Sequence, residues 1–399
     1  MKILWVNTNF MHPTTKGGQI RTLEMLRHLH RWHEIHYAAI ENPSHPEGPA
    51  RSGEYSFRSY AMRHSVAPKN SIAFLAQLAR GLASPIPLAV SRFHSPGLGV
   101  FIEELMRRER FDRAVVDHLA PTSYFPCPEL SLLFQHNVET VIWRRHAEQA
   151  RDPLRRLYFR RQAHLMHEYE QQACRQAGHV VAVSAVDASQ MRELFGVTRV
   201  SEIPTGVNLE YFSPPPAAQP RADLVFVGSM DWLPNVDGVA YFVEQILPRI
   251  RCSRPDCTLA IVGRMPPAKI RQLAERDPKI HVTGTVPDVR PFLWGSSISI
   301  VPLRIGGGTR LKIYESMAAK IPVVSTLIGA EGLAVQDNEN ICIADTPEDF
   351  ANRCLELLDD AGGRRRLSEA AWEMVSSCFS WEKVSRRFER VMEAAPRVN

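Results

Sequence analysis

The sequence predicts an α/β protein made of two doubly wound, Rossmann-like domains that face each other across a cleft. Its 399 residues exceed one ordinary hydrophobic core and suit two domains of roughly 150–200 residues. Short apolar runs alternate with helical patterns along the chain, which is typical of parallel strands joined by crossover helices. A proline-rich segment at 213–220 interrupts this alternation, and the pattern then begins again.

The first domain is expected to cover 1–212. Its first strand is the apolar run KILWV that follows Met1, and a helix is predicted from about Gln19 to Arg31. Later runs have the composition of buried strands: AVVDH at 114–118, LSLLFQH at 130–136 and HVVAVS at 179–184.

The second domain is expected to cover 223–378, after an extended linker at 213–222. The runs DLVFVGS at 223–229 and TLAIVG at 258–263 are predicted strands that lead into glycine, with a helix at 236–250 between them. The runs KIHVTGTV, SSISIVPL and PVVSTL continue the alternation. Because ligands of such sheets lie outside the carboxyl ends of the strands, we expect the site in the cleft between the domains.

Composition and charge exclude several classes of protein. Hydrophobic residues make up 44% and charged residues 23%, which excludes a disordered or fibrous chain. Residues 1–200 hold 25 Lys+Arg against 18 Asp+Glu, and the remainder hold 23 against 25, so the first half carries +7 and the second −2 of the net charge of +5. This modest excess suits phosphate groups or an anionic membrane surface, and no nucleic-acid partner is expected.

Targeting and redox patterns indicate a cytoplasmic protein. No apolar run approaches the ~20 residues of a membrane span, and the first run breaks at Asn7, as a strand does and a signal peptide does not. The seven cysteines are scattered without a Cys-x-x-Cys pair, which indicates reduced thiols in a core rather than disulfides or a zinc site.

Two glycine-rich segments are candidate anion sites. Gly17 and Gly18 open the first predicted helix, where backbone N–H groups can approach a phosphate or sugar, although a plain tight turn explains them equally well. The stronger candidate is GGGTRLK at 306–312, which leads from a predicted strand into a helix that begins near Thr309. Its glycine N–H groups, with Arg310 and Lys312, suit a diphosphate, and Glu315 can accept hydrogen bonds from two ribose hydroxyls. The alternative is that these charged residues form a solvated helix face.

The segments around this motif resemble the family 4 glycosyltransferases of the two-domain B fold. The resemblance rests on GGGTRLKIYESMAAKIPVVST at 306–326, VGSMDWLPNVDGVAYF at 227–242 and TGTVPDVRPFLWGSSISIVPL at 283–303. The opening MKILWVNTNFMHPTTKGGQIRTLEML is also similar, so the resemblance covers essentially the whole chain. It is strongest to the bacterial branch that builds exopolysaccharides and cell-envelope glycans.

The resemblance implies roles for residues of the second domain. Glu315 matches the acid that holds the nucleotide ribose, whereas the preceding acid of the family motif falls on Gly307. Backbone groups at the start of the helix would then contact the donor sugar: Gly308, Thr309, Arg310 and Leu311. Because the usual basic pair after the first strand of this domain is missing, Arg264, Arg310 and Lys312 are the available partners for the diphosphate. Val286 lies in the segment that matches the base-contacting loop.

The resemblance also implies a site in the first domain. His118, at the end of a predicted strand, matches a histidine beside the reacting sugar and is the candidate catalytic residue; the alternative is a structural histidine. His136, Asn137 and Glu139 follow another strand and are candidates for the acceptor side. The segment 379–399 resembles the terminal helix that returns to the first domain, with Trp381 as a packing anchor.

The implied activity is transfer of a sugar, with retained configuration, from a nucleotide-sugar to a glycan or lipid-linked acceptor. No Asp-x-Asp pair is present, so no metal and no cofactor is expected. Two alternatives remain open: a sugar-nucleotide epimerase of the same fold, and a non-catalytic sugar-nucleotide-binding component of an envelope-assembly complex. A nicotinamide dehydrogenase is disfavoured because no Gly-x-Gly-x-x-Gly follows the first strand.

The segment 142–178 is basic and aromatic, with eight arginines against four acidic residues. A helix of this composition either lies on the anionic inner-membrane surface, near a lipid-linked acceptor, or covers its own apolar face with arginine side chains in solution. Peripheral membrane contact through 142–178 is therefore an open expectation.

Overall fold

The computed structural model describes residues 1–14, 17–64, 84–150, 152–215, 222–305 and 310–398, with some positions between 66 and 81. The chain divides into two compact units. Unit 1 comprises Met1–Thr205 and Trp381–Asn399, and unit 2 comprises Gly206–Gly306 and Arg310–Ser380.

Unit 1 is built on a parallel sheet of seven strands in the order β3-β2-β1-β4-β5-β6-β7. The strands are β1 Lys2–Asn7, β2 Glu34–Glu41, β3 Arg58–Arg63, β4 Arg113–Asp117, β5 Ser131–Phe134, β6 His179–Ala182 and β7 Val200–Glu202. The described α-helices are α1 Gly17–Leu29, α2 Glu47–Ala50, α3 Leu88–Ser91, α4 Pro96–Arg108, α5 Glu139–Gln149, α6 Pro153–Gln176 and α7 Ala185–Phe195, with α17 Trp381–Ala394 from the chain's end.

Unit 2 repeats this topology with six parallel strands in the order β10-β9-β8-β11-β12-β13. The strands are β8 Ala222–Val227, β9 Leu259–Val262, β10 Ile280–Gly284, β11 Ser296–Val301, β12 Val323–Ser325 and β13 Cys342–Ile343. The described α-helices are α8 Leu209–Phe212, α9 Leu233–Tyr241, α10 Leu247–Ser253, α11 Ala268–Arg276, α12 Arg290–Trp294, α13 Leu311–Ala318, α14 Leu327–Ala330, α15 Pro347–Asp359 and α16 Ala361–Cys378. The predicted fold class, two doubly wound parallel sheets, is confirmed.

The buried residues explain these elements. The first strand is almost entirely buried, as a central parallel strand must be, and Trp5 packs in unit 1 against Phe134 of β5 and Phe388 of α17. The final helix is fixed to unit 1 by Arg113, whose guanidinium donates to the carbonyls of Met392 and Glu393. Trp381 is 3% exposed, as expected of a packing residue.

Several boundaries differ from those predicted. Unit 1 ends at Thr205 rather than 212, because Val207 and Phe212 belong to the hydrophobic core of unit 2. Unit 2 extends to Ser380 rather than 378. The predicted linker at 213–222 lies mostly outside the described residues. The first helix occupies Gly17–Leu29, two residues earlier than Gln19–Arg31 at each end.

Two predicted helices are interrupted. The helix predicted at 236–250 is α9, a π-helical turn at Phe242–Ile246 and α10, an interruption next to Pro248, whose ring nitrogen cannot donate a hydrogen bond. The basic segment 142–178 forms two helices, α5 and α6, because Asp152 caps a new helix at Pro153. Within the described residues, no helix combines the length and the apolar character that a membrane crossing requires.

Candidate functional site

In each unit, buried ionisable groups lie near the point where the strand order reverses. In unit 1 this point falls between β1 and β4, and in unit 2 between β8 and β11. Ligands of doubly wound sheets bind at the carboxyl ends of strands at such a switch point. Each unit therefore carries its own candidate site.

Asp117, the last residue of β4, is the centre of the unit 1 site. Its side chain is fully buried and accepts four hydrogen bonds. The donors are Trp5 Nε1 at 3.0 Å, Asn7 Nδ2 at 2.7 Å, Thr22 Oγ1 at 2.8 Å and His136 Nε2 at 2.7 Å. Burial opposes ionisation, but the neighbouring imidazoles and these donors outweigh it and hold the pKa of Asp117 at about 2. The carboxylate is therefore ionised at neutral pH.

His136 is held by this carboxylate in one tautomer. Burial, reinforced by the neighbouring His118, lowers the pKa of His136 to about 3, so its imidazole is neutral. Because Nε2 donates to Asp117, Nδ1 carries the free lone pair. Among the described residues that atom is buried without a partner, and a Cβ built on Gly18 would lie only 3.3 Å from it. His136 therefore presents a hydrogen-bond acceptor beside the first turn of α1.

His118 follows β4 immediately and faces the same place. Its backbone has φ 75°, a left-handed conformation that is costly for a residue with a side chain, and its N–H donates to the carbonyl of Phe134 at 2.9 Å. The imidazole stacks on that of His136 with 3.9 Å between ring centroids and remains 35% exposed. The structure thus brings together three residues predicted separately: His118, His136 and Gly18.

Gly17 and Gly18 are the first two residues of α1. A Cβ on Gly18 would also lie 3.5 Å from the ring of His118, so the glycine allows the helix start to lie against both imidazoles. The amides of this first turn have no partners within the helix and suit an anion or a hydroxyl oxygen.

The predicted acceptor-side residues lie at the start of α5. Asn137 Nδ2 donates to Glu139 Oε1 at 3.3 Å, and burial raises the pKa of Glu139. The α5 amides of Glu139 and Thr140 donate to the buried carboxyl of Glu170 on α6 at 3.0 and 2.8 Å, and Thr140 Oγ1 donates to it at 2.6 Å. Burial raises the pKa of Glu170 to about 8. The start of α5 is therefore capped from within the protein.

Lys312 and Glu315 form the unit 2 site, one turn apart on α13. Lys312 Nζ donates to Asn235 Oδ1 at 2.8 Å and lies 4.3 Å from the ring centroid of Phe226. Burial, with a smaller contribution from Arg310, lowers the pKa of Lys312 to about 7. Burial raises the pKa of Glu315 to about 7 against the opposing effect of Lys312. Among the described residues, nothing hydrogen-bonds to the carboxyl group of Glu315.

The other predicted donor-site residues have varied surroundings. Arg310 is 2% exposed and donates to the carbonyl of Ile328 at 3.2 Å, and Leu311, the first residue of α13, is buried. Arg264 is held by Ser229 Oγ at 2.7 Å and by the carboxylate of Asp231 at 2.9 Å.

Val286 packs on the unit 2 core after β10. Gly307, Gly308 and Thr309 lie outside the described residues, and the helix predicted to begin near Thr309 is described from Leu311.

A metal ion has one candidate location in the described part of the chain. Asp117, His118 and His136 offer ligand atoms within 4.8 Å of one another. An ion there would have to displace hydrogen bonds that Asp117 already accepts, and Nε2 of His136 already donates to that carboxylate. The cluster therefore fits a hydrogen-bonded positioning site better than a metal centre, and the expectation of metal-independent chemistry stays a prediction.

Sequence reasoning overlooked several of these residues. Asp117 stands beside His118 in AVVDH, and an acid in a fully buried strand is itself an indication of function. No such indication marks Glu170, because its donors lie about 30 residues away on another helix. Asn235 and Gly228 line the Lys312 side chain through tertiary contact alone.

Comparisons with known proteins agree with this description. Residues 15–211 match the model of Glycosyltransferase Family 4, and residues 221–360 match that of Glycosyl transferases group 1. An uncharacterized 44.6 kDa protein in the cps region of Klebsiella pneumoniae is 24% identical over 171 residues, which cover 41% of this chain and 44% of that protein. The chain spans about half the length of the curated relatives it matches.

Solved structures resemble nearly the whole chain. Sucrose-phosphate synthase from Thermosynechococcus elongatus aligns with TM-score 0.72 and 16% identity, covering 99% of this chain and 98% of that one. Anabaena Alr3699/HepE, solved in complex with UDP and glucose, aligns with TM-score 0.68 and 11% identity, covering 99% and 100%. At these identities the structures establish the fold, and the two family matches establish the relationship: this chain belongs to the family 4 glycosyltransferases and has their B fold.

Proposed function

We propose that this protein transfers a sugar from a nucleotide-sugar to a hydroxyl group of a glycan or lipid-linked acceptor, with retained configuration and without a metal ion. The observation that carries the proposal is the pair Lys312 and Glu315. Both are largely buried one turn apart, and no described residue hydrogen-bonds to Glu315. Burying such charges is unfavourable unless a ligand partners them.

A nucleoside diphosphate supplies both partners. Its diphosphate would accept hydrogen bonds from Lys312, from Arg310 and from the first amides of α13. Its ribose would donate two hydroxyl hydrogen bonds to Glu315. The predicted backbone contacts of Gly307, Gly308 and Thr309 belong to the same proposal.

The unit 1 site would handle the sugar that reacts. In the proposed reaction the bond from sugar C1 to the diphosphate oxygen breaks, and a bond from C1 to the acceptor oxygen forms on the same face. The acceptor's hydroxyl proton passes to the departing diphosphate. His118 would position the sugar and share developing positive charge, while His136 Nδ1 would accept a hydroxyl hydrogen bond. Asn137 and Glu139 would line the acceptor side.

The proposed pathway is bacterial polysaccharide or cell-envelope glycan synthesis in the cytoplasm. The matching Klebsiella protein is described by its place in a cps region, which supports this assignment. No cofactor other than the nucleotide-sugar substrate enters the proposal.

The proposal is tested first by thermal melting against a panel of nucleoside diphosphates and their sugars, with and without chelator. A ligand at about 100 times its Kd adds roughly 2.7 kcal/mol of stability, so the correct nucleotide raises Tm. Glu315→Ala is expected to weaken nucleotide binding by about 10–100-fold, because charge-assisted hydrogen bonds contribute about 1.5–3 kcal/mol. His118→Ala is expected to leave nucleotide affinity unchanged and to lower turnover.

Glu369→Ala is the matched control, since Glu369 is 56% exposed and pairs with Arg365 on the surface of α16. Three results would overturn parts of the proposal. If no nucleotide binds, the proposed donor site is wrong. If chelator abolishes the Tm shift, the proposed independence from metal is wrong. If the sugar nucleotide is converted to another one without an acceptor, the protein is an epimerase.

A further inference from the structure

A cavity of about 670 Å³ lies between α5 and α6 in unit 1, away from the residues assigned above. Arg144 of α5 and Arg156 and Arg160 of α6 line it. Along α6 the lining positions are 156, 160, 163, 164 and 167, a spacing that places them on one face of the helix. Four of these five residues are arginine or histidine, and Arg156, Arg160 and His164 are exposed, whereas Ala163 is buried and His167 is partly buried.

The lining of the cavity combines two small buried residues with several charged ones. Ala147 and Ala163 are buried and leave the space between the helices open. Glu148 is the one carboxylate among the lining residues. Three guanidinium groups face a single acid, so the cavity carries a positive charge.

The arginines of this cavity can be compared with three surface arginines that have carboxylate partners. Arg107 and Arg108 on α4 each pair with a glutamate four residues earlier, and Arg365 pairs with Glu369. Arg144, Arg156 and Arg160 have no carboxylate partner among the described residues. Exposed pairs add little stability, but leaving three cations together unpaired is unfavourable unless an anion joins them.

His167 supplies an independent indication of a ligand. Its Nδ1 is buried and has no hydrogen-bond partner in the described part of the chain, although the residue lines the cavity. Burial, followed by the charge of Arg144, lowers the pKa of His167. An anion in the cavity would reverse the effect of Arg144 and would accept a hydrogen bond from the protonated imidazole.

We propose that this cavity binds the phosphate or diphosphate group of an anionic lipid. Guanidinium groups bind phosphate oxygens in bidentate geometry, which exposed lysines do not. Leu154 and Leu157, in the first turns of α6, are 78% and 68% exposed, which suits contact with acyl or isoprenoid chains beside the head group. Both a membrane phospholipid and a lipid-linked acceptor carry this chemistry; the acceptor role rests on the function proposed above.

The test compares Arg156→Gln/Arg160→Gln with Arg107→Gln/Arg108→Gln, which removes the same charge from paired surface positions. Pyrophosphate is titrated into the full-length proteins while imidazole ¹⁵N signals are followed. The His167 signal is assigned as the one that is missing from the spectrum of His167→Gln. Pyrophosphate is expected to shift this signal in the wild type and in the control. In the cavity variant, the pyrophosphate concentration at the midpoint of the shift should be at least 10-fold higher. Unmoved His167 signals, or equal behaviour of the two double variants, would overturn the proposal.

Vesicle flotation then shows whether the bound phosphate group belongs to a membrane phospholipid or to a lipid-linked acceptor. Binding to phosphatidylglycerol vesicles but not phosphatidylcholine vesicles, weakened in the cavity variant and in Leu154→Ser/Leu157→Ser, indicates a phospholipid. Binding to phosphatidylcholine vesicles only when they carry a polyprenyl diphosphate indicates a lipid-linked acceptor. Flotation with neither lipid would overturn the lipid part of the proposal. Nucleotide-induced Tm shifts should be the same in all variants, so a failed donor site would be recognised separately.

Discussion

The two units bury ionisable groups at corresponding places, but the hydrogen bonding of those groups differs. In unit 1, Asp117 accepts four hydrogen bonds and has a pKa of about 2. In unit 2, Lys312 has one side-chain hydrogen bond and Glu315 has none among the described residues, and burial moves the pKa of each to about 7. The carboxylate of Asp117 therefore has its hydrogen bonds without a ligand, whereas the carboxyl group of Glu315 has none among the described residues.

This difference indicates that the unit 1 cluster positions catalytic side chains and that the unit 2 pair binds a ligand. A saturated carboxylate fixes the orientation and tautomer of His136 at no further cost when substrate arrives. An unsaturated buried pair lowers the stability of the free protein, and a ligand that partners both charges restores that stability. Mutations should therefore affect stability in unit 1 and ligand affinity in unit 2.

The largest effect is expected for Asp117→Asn. The amide oxygen can still accept from the three donors that share Oδ2, but the amide NH₂ group then faces the N–H of His136, and the negative charge of the acceptor is lost. Breaking a buried charged network in this way costs about 3–5 kcal/mol. Urea unfolding followed by tryptophan fluorescence measures the loss.

Asp359→Asn is the matched control, because Asp359 is 74% exposed and its ion pair with Arg254 lies on the surface. It should change the free energy of unfolding by no more than about 0.5 kcal/mol. Equal losses in the two variants would mean that the Asp117 network does not stabilise unit 1.

Substitutions at two glycines of unit 2 should distinguish an effect on folding stability from an effect on nucleotide binding. A Cβ on Gly263 would lie 1.8 Å from the backbone oxygen of Gly228, so Gly263→Ala must move one strand end and should cost about 1–3 kcal/mol. A Cβ on Gly228 would instead meet two side chains, at 2.7 Å from Nζ of Lys312 and 2.8 Å from Nδ2 of Asn235, and no backbone atom is among its three nearest neighbours. The Gly228→Ala protein should therefore keep most of the wild-type stability. Its nucleotide affinity should fall by about 10-fold, because one charge-assisted hydrogen bond is lost.

Calorimetric titration and thermal melting of both glycine variants give the two readouts. The interpretation fails if Gly228→Ala binds nucleotide like the wild type, or if its melting temperature falls as far as that of Gly263→Ala.

The unit 2 pair also predicts a pH dependence. Glu315 has a folded pKa raised to about 7 from 4.5, so its contribution to stability falls as pH rises from about 4.5 to 7. Lys312 has a folded pKa lowered to about 7 from 10.5, so its contribution rises as pH increases from about 7 to 10.5. The pair is therefore least favourable near neutral pH.

The measurement is the difference in unfolding free energy between the wild type and Glu315→Gln/Lys312→Met across pH 5–10, without nucleotide. Groups common to both proteins cancel, and the difference should favour the double variant most near pH 7. A wild-type advantage that peaks near pH 7 would instead mean that the two groups stabilise each other as an ion pair.

The sequence predicted those parts of this comparison that depend on local pattern. Both sheets, the strand end before His118 and the helix that carries Lys312 and Glu315 follow from apolar periodicity and from glycine before a helix. The hydrogen bonds of Asp117 do not, because their donors come from β1, from α1 and from His136, two residues after the end of β5. The interruption at Asp152 could have been predicted from its capping residue and the proline that follows.

The smallest effect is expected at Glu170, a buried acid that is protonated at neutral pH since burial raises its pKa to about 8. Glu170→Gln keeps a carbonyl for the two donors of Thr140 and loses the acceptor for the amide of Glu139 and for Nε2 of Gln135, a cost of about 1 kcal/mol. Glu170→Ala orphans all four donors and should cost more.

Because the folded pKa of Glu170 is raised, wild-type stability falls as pH rises from about 4.5 to 8, whereas Glu170→Gln does not titrate. In parallel urea titrations, the gap between them should therefore close and then reverse in favour of Glu170→Gln as pH rises towards 8. A gap that widens with pH would mean that Glu170 is ionised in the folded protein, and that unit 1 holds a second saturated carboxylate like Asp117.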